Sequence, residues 1–349
     1  MTMPITSPDL TLKEKARAAF SRLPVPAGVR FVAGRLVRAI PLLFAVVLFN
    51  FALLQLAPGD AAEVLAGESG SATAEYLADL KARFGLDQPV HVQLANYVWR
   101  LVQLDLGFSF RHNEPVLDLL LGRLPATLLL MISSVVLAVA VGALLGVLAA
   151  SRVNSWRDNL ISVFAMLSFA TPVFWLGLMM IVLFSVNLGW LPSSGMASIA
   201  AGYTGIEAVL DVARHMVMPV VTLAMFYVAV YTRVMRAAML EVFNQDYVTT
   251  ARAKGLSQRR ITWRHVVRNA LLPLTTLLGV QIGTMLGGSV LVETVFSWPG
   301  LGRLAFEAVY QRDVNLLLGI LLMCSVLVVV TNILVDLAYT RLDPRIRIR

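Results

Sequence analysis

The side chains able to do chemistry in this chain are few and far apart. Its four histidines, His91, His112, His215 and His265, show no spacing that closes a metal site. Its one cysteine, Cys324, sits inside an apolar run, which leaves no intrachain disulfide and no thiolate metal centre. No G-x-x-x-x-G-K-[ST] run occurs, and Lys254 precedes a glycine instead of following one, so ATP has no phosphate-cradling loop here. What remains is a row of cations. Arg260, Arg264 and Arg268 recur at i, i+4 and i+8 behind Arg252 and Lys254, a pattern suited to holding anionic groups. A membrane-embedded enzyme would need clustered His, Asp or Glu, and the pattern argues against one.

These residues hang on an apolar frame. Of 349 residues, 58% are hydrophobic and 14% charged, with a mean hydropathy of +0.75; soluble domains run at about 45–50% apolar and about 25% charged. The composition therefore predicts an all-α polytopic membrane protein. Six apolar stretches, about 39–57, 125–150, 160–186, 217–235, 271–292 and 314–338, each approach or exceed the roughly 20 residues a crossing needs. Pro58-Gly59-Asp60 stops the first. The lead before it carries seven Lys/Arg and no small-residue cleavage pattern follows, so it reads as a retained span.

With both termini on the inner side, 21 of the 29 Lys/Arg face inward, against 7 of the 21 acids. That bias sets an N-in, C-in topology. It also assigns the +8 net charge to topology and anionic headgroups, not to nucleic acid. The span cores are nearly free of ionisable groups; Arg38, Asp158, Arg233 and Asp336 lie at their ends. A proton relay or a channel with charge rings would carry such groups within the membrane.

Between the first two spans lie some 65 external residues in which Tyr76–Leu80 and Val92–Leu104 have helical apolar spacing, either a solvated lid or a docking surface. The external loop Asn187–His215 holds a short helix at Ile206–Ala213. Gly142 and Gly146, then Gly279, Gly283 and Gly287, place small residues on helix faces, for packing within the chain or against a second subunit or pathway. Gln281, Thr284 and Ser289 flank the second stripe as pathway candidates. Pro172 and Pro219 kink or begin helices.

The inner loop 236–272 has the most organised pattern. Asn244 or Asp246 caps a helix through Tyr247, Ala251 and Ala253 that stops at Gly255; Ser257 caps a second helix that ends at Pro273. The spacing predicts two short helices meeting at a glycine bend. Three roles fit: an interfacial helix on headgroups, a helix-turn-helix DNA reader, and a rigid plug for a cytoplasmic partner.

The run Tyr247-Val248-Thr249-Thr250-Ala251-Arg252-Ala253-Lys254-Gly255-Leu256, closed by Leu272-Pro273, resembles the EAA coupling loop of ABC importer permeases of the oligopeptide/dipeptide/nickel family, with Thr249 and Thr250 where the generic motif has Glu-Ala. Pro58-Gly59-Asp60, Phe84–Pro89, Asp105–Ser109, Glu293–Arg303, Arg312-Asp313 and Asp343–Arg347 are similar to other segments of that family. The resemblance covers about residues 35–349. It implies a six-helix type I ABC importer permease fold with an external insertion between helices 1 and 2, in a bacterial inner membrane. The corresponding layout is a cytoplasmic extension 1–34, opened by a capping box at Thr11–Glu14, then a first span 35–57, a periplasmic segment 58–121, a transmembrane domain 122–340 and a cytoplasmic tail 341–349.

The resemblance also implies partners: a homologous second permease, two ATPase subunits that bind ATP and Mg, a periplasmic or lipid-anchored solute-binding protein, and membrane lipid. This chain itself would be non-catalytic and hold no cofactor or metal. Coupling to the ATPases would fall to Thr249, Thr250, Ala251, Arg252, Ala253, Lys254, Gly255, Leu256, Leu272 and Pro273. Glu293, Trp298 and Arg303 either shape an external gate or cap a surface turn. Peptides lead the implied solutes, beside nickel chelates, glutathione, opines and oligosaccharides.

Overall fold

Five of the six apolar runs become single helices, and most of these outgrow the runs that announce them. The computed structural model describes residues 27–56, 87–198 and 201–342, together with Thr73, Leu77, Ala78 and Ala82. The capping box at 11–14, the turn at 58–60, most of 76–86 and the tail from 343 lie outside the described residues. The order is α1 (Ala27–Leu56), α2 (Val90–Val102), an antiparallel pair of β1 (Phe108–Ser109) with β2 (Glu114–Pro115), α3 (Val116–Ser151), α4 (Trp156–Ala170), α5 (Val173–Met180) with a π-helical extension π1 (Ile181–Asn187), and α6 (Ile206–Phe243). There follow α7 (Asp246–Ala253), α8 (Gln258–Arg260), a π-helical segment π2 (Ile261–Val267), α9 (Arg268–Val295), α10 (Leu301–Gln311) and α11 (Val314–Leu342). Among the described residues, five helices are long and apolar enough to cross a membrane, and the bent pair of α4 and α5–π1 can make a sixth crossing.

Three details differ from the sequence expectation. The third apolar stretch is two arms turned by 103°, not one rod. Pro172 forces Thr171 out of helical geometry, to φ −77° and ψ 127°, because its ring crowds the preceding residue. The short helix at Ile206–Ala213 is instead the start of α6, whose 38 residues extend about 57 Å and so outreach a hydrocarbon core of about 30 Å. Pro273 does not end a helix either; Gln258–Val295 is one 38-residue helical path that contains it. A proline removes a single N–H bond, and in a packed membrane helix neighbouring groups tolerate the loss.

α6 is the central element, and α3 lies along it. A Cβ on Gly142 would stand 2.6 Å from Cβ of Tyr231, and one on Gly146 2.5 Å from Cβ of Met235, so only glycine permits this approach. Around that contact the core gathers Leu130, Ala138, Leu223, Tyr227, Val228 and Met239. α1 is pinned to the edge through α11: the buried Asn50 Nδ2 donates to the Leu318 carbonyl at 3.1 Å, and Arg35 pairs with Asp336 at 2.8 Å. The small external sheet is held by Ser109, whose Oγ donates to the buried Asp313; the other oxygen of Asp313 accepts Leu316 N–H at 3.1 Å and caps α11.

Candidate functional site

The inner hairpin begins where α6 stops. Gln245, not Asn244 or Asp246, occupies the N-cap of α7, and its side chain makes no capping bond; Asp246 contributes only as an acid in the first turn. Ser257 likewise takes the N-cap position of α8 without a side-chain bond. The other end of α7 is closed firmly. Gly255 adopts φ +73°, its N–H donates to the Arg252 carbonyl at 2.9 Å, and Leu256 N–H donates to the Ala251 carbonyl at 3.3 Å. This is a Schellman stop, and glycine suits it because no Cβ strains the left-handed backbone. Space is not the reason: nothing lies within 4 Å of a Cβ placed there.

Packing divides the two faces of the hairpin. Val248 and Ala251 are buried in the same apolar cluster as Ile261, Val266 and Ala270, and Leu256 packs against that cluster. Asn269 Nδ2 donates to Tyr247 Oη at 3.0 Å and to the His265 carbonyl at 2.8 Å, tying α7 to the foot of α9. Thr249, Thr250, Arg252, Ala253, Lys254 and Gly255 stay exposed. The Arg252 guanidinium lies 6.0 Å from the Phe243 ring centroid. Leu272 and Pro273 are exposed on α9, away from the bend.

The glycine stripe of α9 does not act as one surface. Gly279 meets Val335 and Gly283 meets Val328 of α11, at 3.0 and 3.8 Å from a built Cβ, while Gly287 faces open space. Thr284 Oγ1 donates to the Gln281 carbonyl at 2.8 Å, and Ser289, fully buried, donates to the Leu286 carbonyl at 2.9 Å.

At the outer end of α9, Glu293, Trp298 and Arg303 meet in one turn. Glu293 and Trp298 are both 0% exposed. The Glu293 carboxylate accepts Thr127 Oγ1 at 2.8 Å and Arg303 N–H at 3.0 Å, and Gly302 N–H also bonds to it. Leu301 N–H donates to Thr127 Oγ1 at 2.8 Å. One carboxylate and one hydroxyl thus satisfy the first three N–H groups of α10, where an anion is also favoured by the helix dipole. A Cβ on Gly300 would collide with that carboxylate, and one on Gly302 would stand 2.6 Å from Val290 Cα. Trp298 Nε1 donates to the Ala126 carbonyl at 2.8 Å, and Arg303 bonds the Ser297 carbonyl and Glu307.

Several residues of this frame carry no local signal in the sequence. Thr127 is 166 positions from Glu293. Asp158, 2% exposed, holds Arg236 through two bonds of 2.7 and 2.8 Å, linking the foot of α4 to α6. Lone charges at the ends of apolar runs were the available clue to that pair. A serine, a histidine and an aspartate also meet, at Ser109, His112 and Asp313, but the serine is fully buried and donates to the aspartate, which makes it a brace and not a nucleophile. Among the described residues no three His, Cys, Asp or Glu gather as a metal site.

With that geometry in hand, the comparisons with known proteins are consistent with one another. Residues 142–348 match the family described as binding-protein-dependent transport system inner membrane component, and residues 28–131 match its N-terminal companion. The di/tripeptide transport system permease protein DppB of Pseudomonas aeruginosa is 40% identical over 331 residues, spanning 91% of this chain and 98% of that one. The dipeptide transport system permease protein DppB of Escherichia coli K12 is 37% identical over 336 residues, spanning 91% and 99%. An inward-facing structure of the MetNI methionine ABC transporter superposes with a TM-score of 0.51 at 20% identity, covering 64% of this chain and 96% of its own, a likeness of fold.

Proposed function

Because the chain belongs to the family of binding-protein-dependent transport system inner membrane components, the permease subunits of ABC importers, we propose that it forms half of a pathway for peptides, coupled to ATPase subunits through the hairpin 244–273. Short peptides are the favoured solute because the two DppB relatives, each matched along nearly its whole length, are named as di/tripeptide and dipeptide permeases. A homologous permease supplies the other half, two ATPase subunits bind ATP and Mg, and an external solute-binding protein delivers the cargo. Both termini face the cytoplasm of a bacterial cell, a reading that the Lys/Arg bias supports.

The observation that supports coupling at this place is the two-faced hairpin. Val248 and Ala251 fasten α7 to the body of the protein, while Thr249, Thr250, Arg252, Ala253 and Lys254 are turned outward on a helix whose end is locked by Gly255. ATP can shift the permease between inward-open and outward-open states only if the ATPase pair docks differently on that face in each. Gln281, Thr284 and the open Gly287 are the candidates for the pathway or the permease–permease interface, with Gly279, Gly283 and Ser289 supporting them from behind. At the outer gate, Glu293 and Trp298 serve as anchors of the turn and Arg303 as its exposed-side clamp.

The test is ATP-driven uptake of labelled di- and tripeptides into vesicles holding the full assembly. Uptake should need both the ATPase pair and the binding protein. Equal uptake by this chain without ATPase subunits would overturn the reading, and mass analysis of solute carried by the copurified binding protein fixes the substrate class.

A further inference from the structure

Arg233 belongs to neither the coupling hairpin nor the outer turn, yet it is a charge set within a span. Asp158 holds Arg236, and Phe169 stacks on Phe226 with ring centroids 4.9 Å apart. Eleven residues up α4 thus match ten residues back along α6, so the two helices run side by side in opposite senses. The sequence sets Arg233 at the end of its apolar run, but α6 continues for ten residues beyond it, to Phe243. The guanidinium carbon of Arg233 stands 4.5 Å from the Phe169 ring centroid. Its head is therefore turned up along α4, away from the Asp158–Arg236 pair.

Depth decides what can surround it. In the topology proposed above, α4 begins at its N-cap Ser155 in the inner connector that carries Arg152 and Arg157. Along the axis Phe169 is about 21 Å in from that cap, and the Arg233 Cα, one turn past Arg236, about 9 Å. The headgroup layer on each side is about 5–8 Å deep, so the guanidinium lies at hydrocarbon depth. An arginine facing lipid there turns its head back to the headgroups; this one does not. Charges held within a membrane face the bundle interior or a wet cavity and meet a partner. Among the described residues Arg233 has no carboxylate and no hydrogen-bond acceptor, and it is exposed. Phe169, 45% exposed, covers the guanidinium but takes none of its N–H donors. Such an open fork fits a carboxylate through two parallel bonds. Every di- and tripeptide ends in a carboxylate whatever its side chains, and a pathway serving many sequences can grip only what they share. Resting on the peptide reading above, we propose that Arg233 receives the C-terminal carboxylate of the peptide in the inner half of the pathway, with Phe169 and Phe226 as the apolar wall beside it.

The test uses the permease pair with its ATPase subunits in nanodiscs, without the binding protein, whose own selectivity would mask the arginine. Equilibrium dialysis compares labelled alanyl-alanine with alanyl-alanine amide. The native assembly should retain the acid about tenfold better than the amide. Arg233→Gln should erase that preference and leave retention of the amide as it was. Arg233→Lys should keep part of it, since an ammonium brings charge without the fork, and Arg157→Gln in the inner connector should change nothing. Equal retention of acid and amide by the native assembly, retention of neither, or an unaltered preference in the glutamine variant overturns the site. So does separation of the two permeases in the glutamine variant, which would assign Arg233 to a carboxylate of the second permease. ATP-driven uptake in vesicles keeps the two readings apart: native vesicles that take up no peptide sink the peptide reading itself, whereas native uptake of peptide beside any of those outcomes sinks the arginine site alone.

Discussion

The turn between α9 and α10 and the hairpin between α6 and α9 are both short helical connections built on glycine, and they treat their polar groups in opposite ways. In the outer turn Glu293, Thr127 and Trp298 are spent inside the chain: every one of them is buried and bonded to a helix start or a carbonyl of another element. In the inner hairpin the backbone is closed just as firmly at Gly255, but Thr249, Thr250, Arg252 and Lys254 are left facing outward. The glycines differ in the same sense. Gly300 and Gly302 are required by contact, Gly255 by backbone angle alone. A run of distinctive residues is therefore not by itself a mark of a working surface; what separates the two is whether the polar atoms have already been used.

The largest effect should come from emptying the outer turn. Glu293→Ala strips two N–H groups and a hydroxyl of their acceptor in a buried place, a loss of about 3–5 kcal/mol. It should appear as a collapse of thermal stability in detergent; a variant as stable as the native chain would break the contrast. Next in size is Gly302→Val, where backbone at Val290 cannot yield, with an expected loss of about 1–3 kcal/mol or outright failure to accumulate in the membrane. Gly255→Val is the matched change at the inner hairpin. It meets no atom, so insertion and stability should hold to within the cost of the left-handed backbone, about 1–2 kcal/mol, while ATP-driven uptake is lost. Normal uptake by that variant would remove the glycine bend from the mechanism.

Trp298→Phe leaves a smaller ring in the buried site and deletes the bond to the Ala126 carbonyl, for about 1–2 kcal/mol in thermal unfolding. Smallest of all in stability, Arg252→Ala/Lys254→Ala should shift unfolding by no more than about 0.5 kcal/mol per exposed site, and yet reduce the stimulation of ATP hydrolysis by solute-loaded binding protein. A silent pair would mean that the outward face of α7 is ordinary surface.

The positions of the spans and the bend at Gly255 were legible in the sequence because both are local: apolar run length announces a crossing, and a helix pattern ending at glycine announces its stop. The partners were not. Nothing near Glu293 points to Thr127, and nothing near Asp158 points to Arg236, 78 positions on, because contacts between distant helices leave no periodic trace in either. Proline was read too simply. Pro172 breaks its helix whereas Pro273 does not, and the difference lies with the residues around each and not with the ring itself. For Glu293 and Trp298 a gate and a turn cap are both open in the sequence, since an acid and an indole beside a glycine turn do not announce which helix start or carbonyl they meet.

The unbroken path from Gln258 to Val295 gives the two regions one more relation. At about 1.5 Å per residue it is a rod of about 57 Å, with the hairpin at its base and Glu293 two residues from its tip. The tip is clamped to α3 and α10, so it serves as a fulcrum. A swing of the base by about 10° about that fulcrum would carry it sideways by about 10 Å, as an oar turns in its lock, with π2, Pro273 and the Gly287–Gly288 pair as places to flex.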